Sequence, residues 1–269
     1  MERRIRVQSA QSEAQFASEI AARKMIRTIA VVLFLALALL LVMPFFILWS
    51  LLTGTPDLMY EVAMKTVRAS LRIAKIKVRV EGLENIRTGV CIFAANHTSN
   101  VDPLAFIPAI PRRVSILVKS ELFRLPILAT AMRMAKFVPV DREDKEAAAA
   151  SVEVAARVLK EGLSLAVYPE GTRSPDGRLR PFKKGTFVMA IEAGVPIVPV
   201  SISGAQYLMR KGEWTIRPGE IVVRFGSPVD ASEYTMERRM ELLTRVEELV
   251  AAGLPEDQQP LSAPDSTGK

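Results

Sequence analysis

The chain has 269 residues, of which 49% are hydrophobic and 24% charged, enough for one substantial domain with further segments. Its one cysteine, Cys91, excludes an intramolecular disulfide. The net charge of +7 does not point to nucleic acid: residues 1–27 carry +3, residues 57–79 carry +4, and residues 80–269 balance to zero.

Residues 1–27 form a basic N-terminal segment. Residues 28–56 hold no ionisable side chain, and 29–52 is almost wholly Leu, Val, Ala, Ile and Phe. As a helix rising about 1.5 Å per residue, this core reaches about 36 Å, enough for a hydrocarbon layer of about 30 Å. A cleaved leader fits poorly, because the run is long and starts late. Basic residues flank it equally, which suits anionic lipid and leaves orientation open. Pro44 permits a kink, so a single span and a kinked hairpin in one leaflet both fit. Residues 57–76 are expected to form a basic amphipathic helix. Lys65, Arg68, Arg72 and Lys75 share one face, with Met59, Ala63, Val67 and Ala74 roughly opposite. Such a helix either rests in the headgroup layer or is an ordinary surface helix of the domain.

From 77 onward strand-like runs alternate with helical ones. Strands are expected at 77–80, 90–95, 114–119, 137–140, 164–168, 197–203 and 221–225. Helical patterns fall at 121–134, 145–161, 186–193 and 236–252. Several strands are unbroken apolar runs, which implies cover on both faces. The expected fold is an α/β layered domain over 77–252 with a largely parallel sheet flanked by helices. Residues 253–269, rich in Pro, Gln, Ser and Asp, read as a disordered tail.

Polar motifs stand at the ends of three of these strands. His97 follows 90–95, Asp141-Arg142 follows 137–140, and Glu170-Gly171-Thr172-Arg173-Ser174 follows 164–168. Ligands of open α/β sheets bind beyond the carboxyl ends of strands, so these motifs can share one cleft. His97 is the only histidine and the only side chain that titrates near neutrality unaided. Asp102, five residues on, can hold its tautomer, which makes the pair a general base for a hydroxyl or water. The blander readings are a structural histidine, and an aspartate that caps the helix opened by Pro103. Arg142 and Arg173 suit a phosphate, with the amides of Gly171 and Thr172 as further donors. Singly, each arginine reads as a surface residue, and Glu170 to Ser174 as a turn closed by an ion pair. The loop Arg178-Leu179-Arg180-Pro181-Phe182-Lys183-Lys184 is either an exposed charged loop or a dock for a phosphate or an acidic carrier. There is no Gly-x-Ser-x-Gly elbow, Walker A loop, dinucleotide fingerprint or metal-ligand spacing, so no metal or cofactor is expected.

These residues resemble the glycerolipid acyltransferase family, and within it the bacterial-type 1-acyl-sn-glycerol-3-phosphate acyltransferases. Four blocks appear in order. They are Asn96-His97-Thr98-Ser99-Asn100-Val101-Asp102, then Lys119-Ser120-Glu121-Leu122 with Phe137-Val138-Pro139-Val140-Asp141-Arg142. Tyr168-Pro169-Glu170-Gly171-Thr172-Arg173-Ser174 and Val195-Pro196-Ile197-Val198-Pro199-Val200 follow. The resemblance implies catalysis at His97 with Asp102 in support and Lys119 near the active centre. It implies acceptor binding by Arg142, Glu170, Gly171 and Arg173, to which the residue reading adds Thr172. The implied reaction moves a fatty acyl group from acyl-carrier protein or a CoA thioester to the 2-hydroxyl of lysophosphatidic acid, yielding phosphatidic acid. The implied setting is an anionic lipid membrane, the bacterial inner membrane if the source is bacterial, with the catalytic domain on the cytoplasmic side and no nucleic-acid partner. Alternatives are another lysolipid acceptor such as lyso-ornithine lipid, a thioesterase, and an inactive membrane scaffold.

Overall fold

The computed structural model describes residues 2–141 and 144–261. An N-terminal helical run opens the chain. It comprises α1 (Glu2–Leu37), a π-turn (Ala38–Val42) and α2 (Met43–Thr53), and the loosened turn lies beside Pro44. Gly54, left-handed at φ 72°, ends the run. The chain then returns through α3 (Asp57–Ile73).

Among the described residues seven strands form one sheet. They are β1 (Ile76–Glu81), β2 (Ile92–Ala95), β3 (Val114–Lys119), β4 (Val138–Val140), β5 (Ser164–Val167), β6 (Ile197–Ser203) and β7 (Gly219–Phe225). Their order is β1-β7-β6-β2-β5-β3-β4. Five run parallel, while β7 is antiparallel to β6 and parallel to β1. The sheet is thus largely parallel, as its apolar strands imply. The carboxyl ends of β6, β2, β5, β3 and β4 and the start of β7 and β1 lie along one edge.

The helices between the strands are α4 (Asp102–Ala109), α5 (Pro126–Met134), α6 (Lys145–Lys160), α7 (Gly185–Ala193) and the short α8 (Ala205–Leu208), and α9 (Arg239–Ala252) follows the last strand. Two cores follow from the alternation of strand side chains. Phe93 and Ala95 of β2 join Phe106 of α4 and Leu71 of α3 on one face. Ile92 and Ala94 join Phe187 of α7 and Val246 of α9 on the other.

Three expectations are corrected. The helix expected at 121–134 is a 3-10 turn (Ser120–Arg124) followed by α5, because Pro126 disfavours helical backbone at Leu125, which is extended. The apolar side of α3 is taken by protein rather than left for lipid. Met59, Tyr60 and Leu71 are buried, and Leu71 shares a core with Val31 of α1. Lys75 lies beyond α3 in a left-handed turn (φ 56°), so it does not extend the basic face. The tail is ordered as far as the described residues reach. Leu254 is buried in the α7–α9 core, and Gln258 is fully buried while its carbonyl accepts the Leu179 amide at 2.8 Å. Its polar composition concealed these anchors. Residues 262–269 lie outside the described residues.

Candidate active site

Strand β2 delivers His97 to the shared edge, and the side chain sits almost wholly buried. Asn96 fixes the exit of the strand. Its amide donates to the Ile202 carbonyl (2.9 Å) and accepts from the Ile202 amide (2.7 Å), tying β2 to β6 where the ladder ends. The His97 Nδ1–H donates to Asp102 Oδ2 at 2.8 Å. The same oxygen accepts the amides of Thr98 (2.6 Å) and Ser99 (2.7 Å). Asp102 therefore does not cap α4, as its neighbour Pro103 suggested. It opens the helix with its carboxylate turned back on the histidine loop. With Nδ1 committed, Nε2 holds the free lone pair and makes no hydrogen bond among the described residues. The ring stacks on Tyr168, centroids 4.1 Å apart and planes within 19°.

The loop after β5 grips the histidine peptide from both sides. Glu170 Oε1 accepts the His97 amide at 2.6 Å, and the Ser174 amide donates to the His97 carbonyl at 2.8 Å. Glu170 is 3% exposed. Burial pushes its carboxyl up to about 8, aided by the nearby Asp102 charge and opposed by the His97 amide and by Arg180. Burial thus favours its protonated form, and the carboxyl lies under the loop rather than on its surface.

The other expected acceptor-site residues separate. Gly171 is left-handed (φ 73°), and its amide donates to the Tyr168 carbonyl at 3.0 Å, so it is spent inside the turn. Thr172 follows, and its amide makes no hydrogen bond among the described residues. Arg173 is half-buried, its carbonyl accepting from Lys211 Nζ at 3.0 Å, and its guanidinium makes no ion pair among the described residues. Arg142 lies outside the described residues. Lys119 ends β3, two strands from β2, with its ammonium 2.6 Å from Glu121. Adjacent strands stand about 4.8 Å apart, which sets Lys119 about 10 Å along the edge from the histidine strand.

Sequence reasoning missed four contributors. Asn96 and Tyr168 stood inside the quoted motifs without a role. Ser99 holds the loop through its hydroxyl, which donates to the Met209 carbonyl at 2.7 Å. Lys183 was read only as part of a charged loop. A Cβ at Gly171 would lie 2.9 Å from Lys183 Nζ, so this ammonium crosses directly over the turn. Beyond Tyr168, an apolar groove of about 750 Å³ opens between α6 and α7, with Leu117, Val140, Val167 and Met189 in its wall and Lys183 at its rim.

Comparison with known proteins shows the family to which such a chain is similar. A family model described as acyltransferase matches residues 77–203. A 1-acyl-sn-glycerol-3-phosphate acyltransferase of Limnanthes douglasii is 32% identical over 189 residues, covering 70% of this chain and 67% of that protein. One from Pseudomonas aeruginosa is 30% identical over 197 residues, covering 72% of this chain and 76% of its own. The crystal structure of the 1-acyl-sn-glycerophosphate acyltransferase of Thermotoga maritima superposes with a TM-score of 0.75 at 29% identity, covering 87% of this chain and 95% of the other.

Proposed function

The chain belongs to the acyltransferase family and is an O-acyltransferase, and on that footing we propose that it acylates the 2-hydroxyl of 1-acyl-sn-glycerol-3-phosphate to give phosphatidic acid. The observation that carries the mechanism is the bond from His97 Nδ1 to Asp102 Oδ2, which leaves Nε2 as the base at the sheet edge. Nε2 takes the proton of the 2-hydroxyl as that oxygen attacks the thioester carbonyl. The tetrahedral intermediate collapses, the C–S bond breaks, and the imidazolium returns the proton to the departing thiolate. Asp102 positions the ring and balances its charge. Lys119 stands too far along the edge for the developing oxyanion, so a backbone amide of the loop is the better donor. Arg173 holds the acceptor phosphate. Lys183 joins it, since its ammonium lies over the same turn. The donor is an acyl thioester of carrier protein or CoA.

We read the apolar run as lying along one leaflet of an anionic membrane. It is tied to the domain at both ends. Thr28 Oγ1 accepts the Ile216 amide at 2.9 Å, and Asp57, just past the run, pairs with Arg113 at 3.3 Å. A transverse span would drag Arg113 and the sheet end beside it into hydrocarbon. The catalytic domain then faces the cytoplasm, where thioester donors are found.

Product analysis by mass spectrometry, with purified full-length protein, an acyl thioester and a panel of lysolipids, tests the reading. Phosphatidic acid as the dominant product is expected. A preference for lyso-ornithine lipid or a lysophospholipid would reassign the acceptor. Free fatty acid without acylated product would favour a thioesterase.

A further inference from the structure

We propose that the loop between α8 and β7 is a second membrane contact, in which Trp214 seats the catalytic edge on anionic lipid headgroups. The proposal rests on the reading of the N-terminal run as membrane-embedded. Trp214 is 83% exposed, far more than a tryptophan of this size is left without a partner. It sits among Arg210, Lys211 and Arg217, with one acidic residue, Glu213, already paired to Arg217 at 2.9 Å. An exposed indole beside basic side chains is the composition of a headgroup-level anchor.

The position of the loop is what selects lipid as its occupant. The Ile216 amide donates to Thr28 Oγ1, and Arg27 reaches the Ile216 carbonyl at 3.4 Å. Arg27 is the last charge before the apolar run, which stays uncharged until Asp57. Whatever the tilt of the helix, the headgroup layer must meet it near Arg27, because Arg23, Lys24 and Arg27 stay wet while Ile29, Val32 and Leu33 stand exposed and apolar. The loop fastened at that level meets the same layer. At its other end it is fastened to the active site. Ser99 Oγ donates to the Met209 carbonyl, and Lys211 Nζ donates to the Arg173 carbonyl. One short segment therefore links the headgroup plane to both the histidine loop and the phosphate loop. A lipid acceptor entering from the bilayer would meet His97 at a fixed height.

The chain holds two tryptophans, Trp49 in α2 and Trp214, so their environments are separable. Full-length Trp49→Phe and Trp214→Phe proteins are each bound to vesicles of phosphatidylcholine and phosphatidylglycerol containing lipids brominated high or deep in the acyl chain. In the Trp49→Phe protein, Trp214 emission is expected to shift blue and to be quenched more by shallow than by deep bromines. Trp214→Ala is expected to partition into these vesicles roughly three- to tenfold more weakly. Quenching of Trp49 with no shift or quenching of Trp214 would overturn the proposal while leaving the membrane run intact. Absence of quenching at both would overturn the membrane reading and the proposal with it.

Discussion

The carboxyl of Glu170 accepts the backbone amide of His97 at 2.6 Å, so the histidine at the sheet edge hangs from a buried acid in the loop that follows the neighbouring strand. That acid titrates near 8 when folded and near its ordinary 4.5 when unfolded. Between those values the folded state holds the extra proton, so stability is full below about 4.5 and is lost as pH rises through about 8. The slope of this contribution approaches about 1.4 kcal/mol per pH unit. Glu170→Gln keeps a carbonyl acceptor for the His97 amide and cannot ionise. Chemical denaturation across pH 5 to 9 is expected to show a flatter stability profile for this variant than for the parent. An unchanged profile would mean that Glu170 is ionised in the folded protein.

The His97–Asp102 pair predicts a graded loss. His97→Ala removes the proposed base and is expected to lower kcat by about 10²- to 10⁴-fold with little change in KM. Asp102→Asn leaves a side-chain oxygen for the Thr98 and Ser99 amides but no negative charge behind the imidazolium. Its kcat is expected to fall by a smaller factor. Steady-state kinetics on both proteins, with circular dichroism to confirm folding, checks the order. Transfer that survives His97→Ala would exclude the imidazole as base.

Arg173 follows the Gly171 turn and Lys183 crosses over it, both on the connection from β5 to α7, which gives a two-residue test of phosphate recognition. A charged hydrogen bond to phosphate is worth about 1.5–3 kcal/mol. Arg173→Ala is accordingly expected to raise KM for lysophosphatidic acid by at least about tenfold. Lys183→Ala is expected to do so more weakly, since its ammonium is exposed and screened. Both changes should leave KM for the thioester alone. An effect confined to the donor would move these cations to the carrier-protein side.

The apolar strands were legible because each is a short buried run between turn residues, and the His97–Asp102 spacing was legible because the loop between them is only four residues long. Strand order was not. The reversal of β7 and β1 depends on which edge the long β6–β7 connection returns to, and local pattern does not encode that choice. The role of Glu170 was hidden for a related reason. A glutamate beside Gly171, Thr172 and Arg173 reads as a loop carboxylate, and only its burial shows a proton-holding latch. Lys183 was masked by its neighbours, four basic residues in seven, of which the fold brings this one over Gly171. The disorder expected of the tail rested on composition, which does not reveal the buried sites that Leu254 and Gln258 take.

Asn96 supplies the most direct link between stability and chemistry. Its side chain meets both backbone groups of Ile202, and all of these atoms are buried. Asn96→Ala strands an amide and a carbonyl away from water, at about 1–3 kcal/mol each. Asn96→Asp keeps an acceptor for the Ile202 amide but places a carboxylate against the Ile202 carbonyl, with Asp102 close by in the same loop. Both proteins are expected to melt well below the parent, with Asn96→Asp recovering as the pH is lowered and the new carboxyl takes a proton. Because Asn96 directly precedes His97, activity relative to the parent at the same pH should recover together with stability, the imidazole being protonated alike in both proteins. Differential scanning calorimetry and initial rates, measured on the same samples from pH 5 to 8, separate this from a purely catalytic defect. A stable but inactive Asn96→Ala protein would show that the bond to Ile202 aligns the histidine without holding the sheet together.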